Sequence, residues 1–86
     1  MENQNQNIVH LTGKVVEIKK VWQTNGHTVC EGTLQIIRDS GAIDLIPILF
    51  NDIIIELNSF ISVVGQFRSR DIDINGKLKV ELYVYA

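Results

Sequence analysis

Apolar and polar residues alternate along most of this 86-residue chain with the two-residue period of a β-strand, and clusters of Gly, Asn, Asp and Ser cut it into five segments. The first runs from Ile8 to about Val21, with Val9, Leu11, Gly13 and Val15 on one face and Ile8, His10, Thr12 and Lys14 on the other. Asn25-Gly26 follows, a pair that favours a tight hairpin because both positions take positive φ. The second segment, His27 to Arg38, sets Cys30, Leu34 and Ile36 against Glu31, Thr33 and Gln35, and ends at Asp39-Ser40-Gly41. Ile43 to Phe50 is nearly continuous in apolar residues, as in a strand buried on both sides; Pro47 cannot donate to a ladder and is expected at an edge or bulge. The fourth segment, Phe60 to about Arg70, has Ile61, Val63 and Phe67 on its inner face and Val64, Gln66, Arg68 and Arg70 outside. After a second Asn-Gly turn, Asn75-Gly76, the fifth points Leu78, Val80, Leu82 and Val84 inward and Lys77, Lys79, Glu81, Tyr83 and Tyr85 outward.

Asn51-Asp52 reads as a helix N-cap and predicts a short helix from Asp52 to Leu57, against the extended preference of Ile53-Ile54-Ile55. Five strands with a short helical connection between strands 3 and 4 predict an all-β, five-stranded barrel of the OB type. An SH3-like barrel or a small sandwich would also give five strands but leaves the helical spacer unexplained. Residues 1–6 read as a disordered polar tail and residues 7–86 as a single domain.

Composition adds three constraints. Hydrophobic residues make up 45% of the chain and mean hydropathy is +0.11, which is rich for a domain whose own core must be small. Part of that apolar surface is therefore expected in a homo-oligomer, a dimer or tetramer. Cys30 is the single cysteine, so no internal disulfide forms, and no His/Cys spacing suits a metal; neither metal nor cofactor is expected. The amide-rich start has no basic or apolar leader region and no apolar run could span a bilayer, which predicts a cytoplasmic protein with no membrane partner. The net charge of −2 means that any nucleic-acid contact must come from a local cluster of the eight Lys and Arg residues. No Gly-rich phosphate loop, nucleophile elbow or carboxylate–histidine cluster is present, so the chain reads as a binding module with no catalytic residue and no small-molecule substrate.

Four stretches carry a family resemblance. These are Asn7-Ile8-Val9-His10-Leu11-Thr12-Gly13-Lys14-Val15, Thr33-Leu34-Gln35-Ile36-Ile37-Arg38, Asp44-Leu45-Ile46-Pro47 and Gly65-Gln66-Phe67-Arg68-Ser69-Arg70. In this order they resemble the OB domain of the bacterial single-stranded DNA-binding protein family, to which the primosomal replication protein N group is closely related. The resemblance implies sequence-independent binding of single-stranded DNA in replication, recombination or repair, a nucleoid-associated location and contacts to replication proteins. It also implies stacking aromatics near Ser40, Leu45, Asn51 and Ile72, none of which is aromatic here.

The expected nucleic-acid contacts are Lys14, Gln35, Arg38, Arg68 and Arg70 as a phosphate track, with Trp22 beside the first hairpin as a stacking residue. The alternative for the arginines is ordinary solvated charge, paired with Asp71, Asp73 or Glu81. Ile8, His10 and Thr12 on the first strand and Tyr83 and Tyr85 on the last are expected at the oligomer interface. A second reading of the whole chain is an assembly module that keeps the OB fold, has lost DNA binding and mediates oligomer or replication-protein contacts.

Overall fold

The structure, a computed structural model, describes residues 5–86; residues 1–4 of the tail expected over 1–6 lie outside the described residues. Five strands form: β1 (Val9–Thr24), β2 (His27–Ile37), β3 (Ile43–Asn51), β4 (Phe60–Ile74) and β5 (Lys77–Tyr85). They close into a barrel in the order β1-β2-β3-β5-β4, antiparallel throughout except for a short parallel contact of β3 with β5. This is the five-stranded OB barrel expected from the sequence. Both Asn-Gly pairs make the tight turns their chemistry requires, with φ of 49° and 79° at Asn25 and Gly26 and 53° and 79° at Asn75 and Gly76.

Closure depends on two strands that each change partner midway. β1 pairs with β4 from Val9 to Lys14 and with β2 from Lys14 onward; β4 pairs with β1 up to Gly65 and with β5 from Gln66. At each switch the backbone of a third strand passes so close that no side chain fits. A Cβ on Gly13 would overlap the Gln35 carbonyl oxygen, and one on Gly65 that of Tyr85. Just before Val9↔Gly65, the Asn7 amide makes one more rung: its Nδ2 donates to the Phe67 carbonyl (2.6 Å) and its Oδ1 accepts from the Phe67 amide (3.0 Å).

Inward residues of all five strands fill the barrel: Val15, Cys30, Leu34, Ile48, Phe50, Val63 and Val84. Burial pushes the Cys30 thiol pKa up, which suits its place as a small core hydrophobe.

Three expectations change. No helix forms among the described residues, so none is long and apolar enough to cross a membrane; residues 53–56 run without regular structure. Asp52 cannot act as the expected N-cap, because it sits at φ 57° and its carboxylate is taken by β2. Its Oδ1 accepts from the Thr28 amide (3.0 Å), its own amide donates to the Thr28 carbonyl (2.7 Å), and its Oδ2 lies 2.7 Å from His27 Nδ1. Next, β3 is not buried on both sides: Ile43 and Leu45 are exposed, because β5 meets β3 only at Ile48 and Leu49. Pro47 lies just before that contact, on an open edge as its missing donor demands. Finally, of the four β5 residues expected inside, only Val84 is buried; Leu78, Val80 and Leu82 are 76%, 69% and 63% exposed. Beyond Gly65 and Val84 the β4–β5 hairpin leaves the barrel as a two-stranded ribbon, so Phe67 is also half exposed. The Cα radius of gyration, 14.6 Å, exceeds the roughly 12 Å of a compact chain this long, as projecting hairpins require.

The Asp52 clamp makes a pH prediction. Hydrogen bonds from His27 and then the Thr28 amide hold the Asp52 carboxyl pKa below its usual value. A carboxylate with a depressed folded pKa stabilises the protein above its unfolded pKa, and that stabilisation is lost as pH falls through the folded value. On acidification from about pH 6 to about pH 3, the urea midpoint of wild type therefore falls further than that of Asp52→Asn. Parallel midpoint curves for the two proteins would contradict the clamp.

Candidate nucleic-acid interface

In a two-stranded ribbon, residues directly opposed across the ladder share a face. The pairs Arg68↔Tyr83, Arg70↔Glu81, Ile72↔Lys79 and Ile74↔Lys77 form one face of the β4–β5 hairpin. Phe67↔Val84, Ser69↔Leu82, Asp71↔Val80 and Asp73↔Leu78 form the other. Four of the eight basic residues thus lie on one face with Glu81 as its single acid, while Asp71 and Asp73 are turned to the opposite, largely apolar face. A chain of net charge −2 carries a basic stripe because the β-pleat sorts its charges.

Two tyrosines support that stripe from diagonal positions. The Arg68 guanidinium carbon is 4.0 Å from the centroid of the Tyr85 ring, and that of Arg70 is 5.0 Å from the centroid of Tyr83. Each cation–π contact contributes about 0.5–1 kcal/mol at a partly exposed site and restricts where the guanidinium can point. Tyr83 and Tyr85 are accordingly half-buried beneath arginines.

The two arginines differ in their electrostatics. Arg68 has no carboxylate partner among the described residues, and its Nη2 reaches only Gln66 Oε1, at 3.5 Å. Arg70 is held by two carboxylates. Its Nη2 donates to Glu31 Oε1 (2.8 Å) on β2 and to Glu81 Oε1 (2.7 Å) on β5, and its Nε donates to the same Glu81 oxygen (3.1 Å). Hydrogen bonds to Glu31 and then Glu81 raise the Arg70 pKa further above its usual value. The bond to Glu31 spans two strands that are not neighbours in the barrel. Glu81 also lines a shallow groove of about 300 Å³ with Glu17, Lys19, Thr33, Leu45 and Pro47 on the outer side of the β2–β3 pair.

The remaining expected contacts are dispersed. Arg38 makes a bidentate pair with Asp44, Nε to Oδ2 at 2.8 Å and Nη2 to Oδ1 at 2.6 Å, so the β2–β3 turn carries a neutral pair instead of a free cation. That hydrogen bonding raises the Arg38 pKa and lowers that of Asp44. Lys14 and Gln35 are cross-strand partners beside a cleft of about 200 Å³ that includes Phe60, an aromatic ring 77% exposed. Trp22 lies on the β1–β2 hairpin opposite Val29, with Lys20 Nζ 5.1 Å from its ring centroid. Of the positions where stacking aromatics would be expected, Leu45 lies in the groove and Ile72 on the basic hairpin face; Ser40 and Asn51 are in the β2–β3 turn and at the end of β3.

Ile8, His10 and Thr12 form a separate patch. Ile8 is exposed, His10 is paired with exposed Val64, and Thr12 with Ser62, whose hydroxyls are 2.9 Å apart. Tyr83 and Tyr85, expected with them, lie under the arginines instead, Tyr83 on the hairpin and Tyr85 at the barrel end of β5, where it also meets β3. Pairing of an arginine with Glu81, the alternative offered by the sequence, is what Arg70 makes. Sequence reading missed Lys77 and Lys79, Glu31 and Phe60 as members of the surface. Counting outward from Asn75-Gly76 pairs Lys77 with Ile74 and Lys79 with Ile72, which was signal enough for the lysines.

No family model matches the chain, and no curated protein matches it. Solved structures do. The dimeric N-terminal domain of PriB from Thermoanaerobacter tencongensis is 26% identical, with a TM-score of 0.70 over 92% of this chain and 88% of that one. An SSB domain from Synechococcus sp. is 20% identical, with a TM-score of 0.61 over 96% of this chain and 94% of that one. The resemblance to single-stranded DNA-binding OB domains read from the sequence holds in three dimensions.

Proposed function

We propose that the protein binds single-stranded DNA without sequence preference, through the basic face of the β4–β5 hairpin, and serves replication, recombination or repair in the cytoplasm, at the nucleoid. The observation that carries this reading is the gathering of Arg68, Arg70, Lys77 and Lys79 on one ribbon face beside Tyr83 and Tyr85. Its placement on an OB barrel similar to PriB and SSB domains supports it. Phosphates meet the cations. Bases lie on Ile72 of the same face, on Leu45 in the groove and on Trp22 of the β1–β2 hairpin, so sequence is not read. With aliphatic side chains in place of most stacking aromatics, each base contributes less than the roughly 1–3 kcal/mol of an aromatic platform. Binding is therefore salt-sensitive and weak. The chain assembles as a homo-oligomer, through the Ile8–His10–Thr12 patch with Val64 and the apolar underside of the hairpin, where Phe67, Leu78, Val80 and Leu82 stand exposed.

Titration of Trp22 fluorescence with oligo-dT at two salt concentrations tests the proposal. Quenching that weakens with salt, at a log–log slope of roughly −2 to −3 for about three to four phosphates, is the expected result. A protein that stays oligomeric yet shows no binding at low salt would instead be an assembly module.

A further inference from the structure

Arg68 and Arg70 occupy equivalent places, two residues apart on one strand face, each over a tyrosine ring. Among the described residues, only Arg70 of the two is claimed by carboxylates. The Glu31–Arg70–Glu81 cluster carries a net charge of −1, and Glu17 lines the same groove as Glu81, where its Oε1 accepts from the Thr33 hydroxyl at 3.1 Å. Three charge-assisted hydrogen bonds to two carboxylates thus neutralise the Arg70 guanidinium and fix its Nε and Nη2, so a phosphate gains less at Arg70 than at Arg68. The cluster is not loose surface charge: side-chain exposure is 36% for Arg70, 18% for Glu31 and 32% for Glu81.

We propose that Glu31 and Glu81 are an acidic latch that withholds Arg70 from the phosphate backbone and so keeps single-strand binding weaker than the basic stripe would allow. This inference rests on the single-strand binding proposed above. The latch ties the projecting hairpin to β2 through the Arg70–Glu31 bond. A bound strand competes with carboxylates already in place, so the wild-type complex forms with Arg68, Lys77 and Lys79 as the main cations, and Arg70 is held in reserve. A structural bridge that only tethers the hairpin would lose stability on neutralisation and gain no affinity.

The test is a salt series of oligo-dT titrations on wild type, Glu81→Gln, Glu31→Gln/Glu81→Gln, and Glu56→Gln in the β3–β4 connection as a control for net charge. Glu81→Gln alone keeps the Glu31–Arg70 bond and thus keeps the hairpin tethered. It is expected to bind about fivefold tighter at low salt, beyond any gain of the control. In the double variant Arg70 gains a phosphate, so the log–log slope steepens by about 0.7. Adding Arg70→Ala to the double variant should remove both gains. Gains no larger than those of Glu56→Gln, or gains that survive Arg70→Ala, overturn the latch and leave the binding reading standing. Failure of wild type and every variant to bind at low salt overturns both.

Discussion

Replacing Arg68, Lys77 and Lys79 together by alanine should cost about a hundredfold in affinity for single-stranded DNA at low salt, the largest functional effect expected of any surface change. The reasoning is electrostatic. Each phosphate neutralised on a single strand contributes about 0.7 to the slope of log K against log salt, so losing three contacts flattens the slope by about 2. The affinity loss should therefore shrink steadily as salt rises and nearly vanish near about 1 M. All three residues project from a ribbon outside the core, so urea unfolding should be little changed. Fluorescence anisotropy of a labelled oligo-dT across a salt series measures both quantities. An unchanged slope in the triple variant would place the contact surface elsewhere, and the Lys14–Gln35–Phe60 cleft would be the next surface to examine.

Gly65→Val should abolish the folded barrel. Gly65 is the point where β4 leaves β1 for β5, and even a methyl group there would overlap the Tyr85 carbonyl and come within 2.9 Å of Val84 Cγ1. Both obstacles are fixed. Val84 is fully buried, and Tyr85 is bonded into the ladder between β3 and β4. Relief would require separating β4 from β5 at the one place where β5 closes the barrel. Overpacking a well-filled core typically costs about 1–3 kcal/mol, and a backbone obstacle costs more. A small domain has about 5–15 kcal/mol in total, and this one buries few large side chains. Gly65→Val is expected to lose the cooperative urea transition, and Gly65→Ala to retain a transition shifted to markedly lower urea. A wild-type-like midpoint for the valine variant would show that the strand switch is not tight.

The five strands, both Asn-Gly hairpins and the inward faces of β1 and β2 are legible in the sequence, because they follow from two-residue alternation and Asn-Gly chemistry. The failures have physical causes. Leu78, Val80 and Leu82 alternate like core residues, yet alternation reports only that a face is apolar, and here the barrel ends at Val84. Asp52 looked like a cap because capping chemistry is local; its actual partners, His27 and Thr28, are brought to it by β2–β3 register. The candidate site divided the same way. Arg68 and Arg70 are visible as a pair, and Glu81 as a partner within hairpin reach, whereas Glu31 comes from β2, which is not adjacent to β4, and meets Arg70 only in the closed barrel. Arg38 resembled a phosphate ligand until Asp44, six residues on, was seen to hold it through two hydrogen bonds.

The tight Asn75-Gly76 turn also makes the hairpin a ruler. Successive outward pairs, from Arg68↔Tyr83 to Ile74↔Lys77, stand about 7 Å apart along the ribbon, so the basic stripe is about 20 Å long. A single strand laid along it meets cations over about four nucleotides, at the lower end of what one OB domain covers. Because the turn has no slack, the span cannot stretch to follow a longer strand. Any larger footprint must come in whole increments, one ribbon for each additional protomer.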